Sequence, residues 1–147
     1  MSEQENLYRN VEILEERIGY RFRNRDYALN ALIHSSYVNE NHLDPKLKNN
    51  ERLEFLGDAV LDFVMGMVLY NNHPEMSEGE MSKARAMIVC EASLAEGART
   101  LGLGELMFLG KGEDASGGRN RPSILSDCLE AIIGSIYLDG GMEQAKN

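Results

Sequence analysis

The chain has 147 residues, 43% of them hydrophobic and 27% charged, which suits one soluble globular domain with a substantial core. Its 15 Lys and Arg against 24 Asp and Glu leave a net charge of −9, a balance that argues against nucleic-acid contact unless bound cations offset part of it. No apolar run reaches the length of a membrane span, and the opening MSEQENLYRN lacks the basic and apolar blocks of a signal peptide, so a cytoplasmic protein is expected.

Leu7, Val11, Leu14 and Ile18 recur at helical spacing and predict an amphipathic helix from about residue 4 to 18, ended by Gly19. RNRDYALNALIHSSYVN reads as a second helix, with Asn24 as N-cap and Ala28, Leu29, Leu32 and Ile33 facing inward. ENHLDPKLKNN, with Pro45, is a loop. A long helix then starts at NNERLEFLGDAVLDFV and runs to about Asn72, where NNHP stops it. Ser77 and Glu80 form a possible capping box for the next helix, EGEMSKARAMIV, and ASLAEGARTLG forms another that ends near Gly102. GKGEDASGGRNRPS is a glycine-rich loop, and SILSDCLEAIIGSIYLDGG is the most apolar helix, closed by Gly140 and Gly141. MEQAKN resembles the start of a further helix. No segment alternates like a strand between hairpin turns, so the fold class expected is all-α. Cys90 and Cys128 read as packed, reduced thiols, and the histidines and cysteines show no zinc-ligand spacing.

Two acidic sets stand out. Glu51, Glu54, Asp58 and Asp62 fall three or four residues apart on the long helix, where each like-charge pair costs about 0.2–0.5 kcal/mol. Asp127 and Glu130 share a face of the apolar last helix among Ile124, Leu125, Leu129, Ile132 and Ile133. For either set alone, a solvated stripe is a sufficient explanation. If the two helices pack face to face, Glu54 and Asp58 meet Asp127 and Glu130, and four converging carboxylates call for a cation. Oxygen donors without His or Cys suit Mg²⁺ or Mn²⁺ rather than zinc, in the manner of a divalent-metal phosphodiesterase. Spacing alone leaves open whether the helices meet.

NNERLEFLGDAVL resembles, almost letter for letter, the signature of the ribonuclease III family, and the resemblance continues through EGEMSKARAMIV and LGKGEDASGGRNRPSILSDCLEAIIGSIYLDGG in the same order. It implies a bacterial catalytic domain spanning residues 1–147, all-α, forming a symmetric homodimer. The implied activity is metal-dependent cleavage of double-stranded RNA in RNA processing and maturation, rRNA processing included. The products would carry 5′-phosphate and 3′-hydroxyl ends with short 3′ overhangs. Glu54, Asp58, Asp127 and Glu130 match the family's metal-binding carboxylates, and Glu51 and Glu78 match supporting acids of its cleavage valley. The implied cofactor is Mg²⁺, with Mn²⁺ able to substitute, and no small-molecule cofactor or membrane is expected. Phe55 matches an aromatic that plugs into the partner subunit, although its spacing alone permits a place in the core. Lys83 and Arg85 sit at family-matching positions and are the first candidates to meet RNA phosphates; Arg119 and Arg121 beside the glycine-rich loop are further ones, and an exposed solubilising role competes for each. Gly117 and Gly118 are expected to make that loop mobile. His34 and Ser35 in HSSY suggest a nucleophile pair only superficially, and a packed helix end is the plainer reading. Family members usually carry a double-stranded-RNA-binding domain after the catalytic one, so the chain is expected to be a truncated piece of a longer protein. A domain that binds RNA without cutting it, or an acidic helical interaction protein, are the alternatives.

Overall fold

The computed structural model describes residues 3–40 and 48–142, and among these every regular element is helical. The helices are α1 (Glu3–Ile18), α2 (Arg25–Leu32), α3 (Ser35–Glu40), α4 (Glu51–Asn72), α5 (Glu78–Val89), α6 (Glu91–Thr100), α7 (Leu103–Leu106), α8 (Lys111–Ala115) and α9 (Pro122–Gly140). Most of the expected elements appear where their patterns put them. Asn24 caps α2 by accepting from the Asp26 amide, and Ser77 and Glu80 close a reciprocal capping box on α5. Most of the loop around Pro45, and the MEQAKN segment after Met142, lie outside the described residues.

Two of the expected elements differ, each for a local reason. The single helix predicted over 23–39 is two, because Ile33 adopts an extended conformation and pairs with Phe108 in an isolated parallel bridge. Ile33 is β-branched and fully buried, and its carbonyl accepts from the Asn50 amide at 2.9 Å, which ties the break to the start of α4. The glycine-rich segment is not an open loop either. It contains α8 and a 3₁₀ turn (Gly118–Asn120), and Gly118 is buried against Glu113, where a side chain would collide. Gly118 therefore allows close packing rather than mobility.

α9 is the centre of the fold. It packs against α4, α6 and α2, and α1 closes the far side of the core against α2 and α7. Leu14, Leu29, Leu32, Leu103, Met107 and Ile132 are among the fully or almost fully buried side chains. The polar groups that α9 buries find partners: Ser135 Oγ donates to the Ile132 carbonyl at 2.7 Å and Cys128 Sγ to the Ala31 carbonyl at 3.6 Å. Cys90, in contrast, is exposed, so only one of the two thiols is a packed one. Tyr20 and the amides of Arg23 and Asn24 converge on the Asp139 carboxylate, pinning the end of α9 to the α1–α2 connection.

The contact between α4 and α9 is made by glycine on glycine. A Cβ at Gly57 would overlap the Glu130 carbonyl oxygen, and one at Gly134 would lie 2.5 Å from the Leu53 carbonyl oxygen. Both obstacles are backbone, so neither can swing aside. Gly57→Ala is expected to cost about 3 kcal/mol or more in urea unfolding, whereas Gly112→Ala, which meets nothing within 4 Å, should be close to neutral. A Gly57→Ala protein as stable as wild type would contradict this packing.

Candidate metal centre

The glycine crossing places two acidic pairs against each other. Glu54 and Asp58 lie one turn apart on α4, on either side of Gly57, and Asp127 and Glu130 lie three residues apart on α9, within two turns of Gly134. Carboxylate oxygens of Glu54, Asp127 and Glu130 come within 4.8 Å of one another. Asp58 lies beside Glu130, and Glu54 beside Asp127, so all four acids act on one another. Burial and like charge both disfavour the ionised forms in such a group, and a bound cation would relieve both.

Burial drives the chemistry of the group. Glu130 is only 7% exposed. Burial, reinforced by the hydrogen bond and charge of Asp58 and then by Glu54 and Asp127, pushes its carboxyl group up to about 8. Glu54 is also raised, first by burial and then by Asp127. Asp127 is raised by burial and by the charge of Glu91, against the opposing influence of Glu54 and His34. The donor set fits a hard divalent cation: all oxygen, high negative charge, no imidazole or thiolate. Among the described residues this is the one group of three or more acidic, His or Cys side chains close enough to share an ion.

The remaining sequence-predicted residues fall outside the cluster. Glu51 is exposed at the start of α4 and reaches the site only through its charge on Glu54. Glu78 is exposed on α5 and accepts from Ser82 Oγ at 3.1 Å. Lys83 is exposed on α5; Arg85 is half-buried there with its guanidinium lying against α4 at Gly66. Arg119 donates to the Gly104 and Met107 carbonyls and pairs with Asp114, and Arg121 pairs with Glu113, so both staple their own segment. Phe55 is 80% exposed, which removes the core reading of its spacing. Phe63, further along α4, is also exposed at 59%. His34 is indeed a helix end: its Nδ1 caps α3. The neighbour that sequence reasoning missed is Glu91. An acid opening α6 reads as an ordinary dipole-stabilised residue, and nothing in its spacing points to Asp127.

The ribonuclease-III-like family model matches residues 24–147. Ribonuclease 3 of Pelotomaculum thermopropionicum is 51% identical over 135 residues, covering 92% of this chain and 56% of that protein. Ribonuclease 3 of Bacillus licheniformis is 53% identical over 129 residues, covering 88% of this chain and 51% of that protein. The nuclease domain of ribonuclease III from Campylobacter jejuni superposes with a TM-score of 0.83 at 46% identity, covering 92% of this chain and 90% of that one. In that structure a region involved in dimer formation is structurally flexible. The all-α fold is thus shared with a known class of nuclease domain. The chain belongs to the ribonuclease-III-like family, and it spans about half the length of the curated relatives it matches.

A carboxyl group raised on folding from 4.5 to about 8 binds more protons folded than unfolded between those values, so its contribution to stability is present at low pH and lost as pH rises through the folded value. In EDTA near pH 8, Glu130→Gln is expected to melt a few degrees above wild type, with the gap closing toward pH 5. Parallel melting curves across that range would contradict the assignment.

Proposed function

We propose that this domain cleaves double-stranded RNA as a symmetric homodimer, holding Mg²⁺, or Mn²⁺ in its place, between Glu54, Asp58, Asp127 and Glu130. The single observation that supports it most is the convergence of these four carboxyl groups, one of them buried, at the α4–α9 crossing. A bound divalent cation would lower the pKa of a water and offset charge building up on phosphate. The chain's own acids hold and orient that chemistry: Glu130 from within the core, Glu54 and Asp127 from the half-buried flank, Asp58 from the exposed edge. Glu51 adds negative potential beside Glu54, and Glu78 is a supporting acid on α5. The proposed products carry 5′-phosphate and 3′-hydroxyl ends with short 3′ overhangs, in RNA processing and maturation.

With a net charge of −9, phosphate contact needs local cations. Lys83 and Arg85 on α5 are the proposed side chains, while Arg119 and Arg121 would have to leave their present partners to contribute. Duplex RNA is read by shape and 2′-hydroxyl contacts, so sequence preference should be slight and salt dependence steep. Exposed Phe55, Phe63 and Tyr70 along α4 and Met87 on α5 suit contact with a second copy. No helix among the described residues is long and apolar enough to cross a membrane.

The direct test is cutting of a long RNA duplex at low salt in Mg²⁺ or EDTA. Wild type should cut only with the cation, and Glu130→Gln should lose about a hundredfold or more, as several kcal/mol of charge stabilisation disappears. Cutting in EDTA, or full activity in Glu130→Gln, would refute the proposal. In sedimentation velocity, Phe55→Glu should shift the protein toward monomer with little change in melting, since the ring is exposed in the single chain; an undisturbed dimer would remove Phe55 from the interface.

A further inference from the structure

α2 ends where Ile33 turns extended, so the last carbonyls of the helix find no partners within it. Other elements supply them. The Phe108 amide donates to the Leu32 carbonyl at 2.9 Å, and the Asn50 amide to the Ile33 carbonyl at 2.9 Å. The Ala31 carbonyl is met twice, by Asn50 Nδ2 at 3.1 Å and by Cys128 Sγ at 3.6 Å. A further bond, from the Lys48 amide to Asn30 Oδ1 at 2.9 Å, fastens the approach to Asn50. The start of α4 is therefore clamped to the end of α2 by backbone and side chain together.

Asn50 is 5% exposed, and its carboxamide makes no capping bond to its own helix. Its carbonyl accepts from the Glu54 amide at 2.9 Å in the first turn of α4. Cys128 stands next to Asp127 on α9. One carbonyl, that of the fully buried Ala31, thus joins the turn that carries Glu54 to the turn that carries Asp127. The glycine crossing sets how closely α4 and α9 approach, but two helices touching at one place can still swing about it. Asn50 lies about 10 Å along α4 before Gly57, and Cys128 about 9 Å along α9 before Gly134. Bonded to one carbonyl at those distances, they close a triangle with the crossing and fix the angle between the helices.

We infer that Asn50 is a positioning residue for the acidic centre: its carboxamide, bonded to the Ala31 carbonyl that Cys128 shares, holds Glu54 in register with Asp127. This rests on the reading that the four acids hold a divalent ion. The carboxamide donates to the Ala31 carbonyl and not to an acid, so its effect reaches the ion only through the placement of α4.

Mn²⁺ binding without RNA, followed by electron paramagnetic resonance, separates positioning from stability. Asn50→Ala removes the Nδ2 bond and leaves the backbone bonds in place. Asn10→Ala removes a bond of the same kind, from Nδ2 to the Leu106 carbonyl at 2.9 Å, on α1 at the far side of the core. Both should melt below wild type. Asn50→Ala should bind Mn²⁺ about tenfold or more weakly, a loss in the range of groups that orient metal ligands, and Asn10→Ala should bind it as wild type does. Half-maximal cleavage by Asn50→Ala should need correspondingly more Mg²⁺, with KM for the duplex unchanged once Mg²⁺ saturates. Wild-type affinity in Asn50→Ala, or an equal loss in Asn10→Ala, would overturn the inference and leave the metal site standing; a wild type that binds no Mn²⁺ would overturn both. Should Asn50→Ala fail to fold, the wild type suffices. Coupling between sites is reciprocal, so saturating Mg²⁺ should slow solvent exchange of the Asn50 carboxamide protons severalfold and leave those of Asn10 unchanged. No slowing at Asn50, or the same slowing at both, would overturn the role.

Discussion

The structure depends on one close approach: α4 and α9 cross with Gly57 against the Glu130 backbone and Gly134 against the Leu53 backbone. No side chain separates the helices there, so their spacing is set by backbone contact and cannot drift with the packing of larger groups. The four acids are all within two turns of that crossing. Whatever fixes the crossing fixes the distances among the carboxyl groups, and a site that must hold them to within tenths of an ångström has been built on rigid helices rather than on loops. α9 is buried by α2 and α6 as well as α4, which makes the most apolar helix the support for a buried acid.

That placement is costly to the protein by itself. Glu130 is buried among like charges, and Glu54 and Asp127 are also raised, so in the absence of a cation the fully ionised cluster is unfavourable. A centre that destabilises its own ionised form gains the most from a counter-ion, which is how an acidic protein can act on a polyanion.

Much of this was legible in the sequence because helical spacing is a reliable ruler. The i,i+4 and i,i+3 acids share faces whatever the helices do next, and the family signature supplied what spacing could not, that the two faces meet. The break at Ile33 was hidden by a run with good helical pattern on both sides; tertiary bonds from Phe108 and Asn50 decide it, and those partners are distant in sequence. The glycine-rich segment misled for the opposite reason. Its glycines suggest freedom, but Gly118 is there so that Glu113 can pack over it, and Arg119 and Arg121 close the segment on itself. Phe55 and Phe63 show the limit of the apolar pattern: period identifies a face, not whether the chain or another surface covers it. Glu91 carried no signal at all, since its relation to Asp127 exists only in the folded arrangement of α6 on α9.

The central claim is that the glycine crossing builds one divalent-cation site from four acids. The most direct measurement is anomalous diffraction from crystals grown or soaked with Mn²⁺ near neutral pH. The account predicts an anomalous peak among the carboxylates of Glu54, Asp127 and Glu130, with Asp58 at its edge and the α4–α9 backbone unmoved. A cluster that stays free of manganese at saturating concentration, or a peak elsewhere on the molecule with the carboxyl groups still paired, would contradict it.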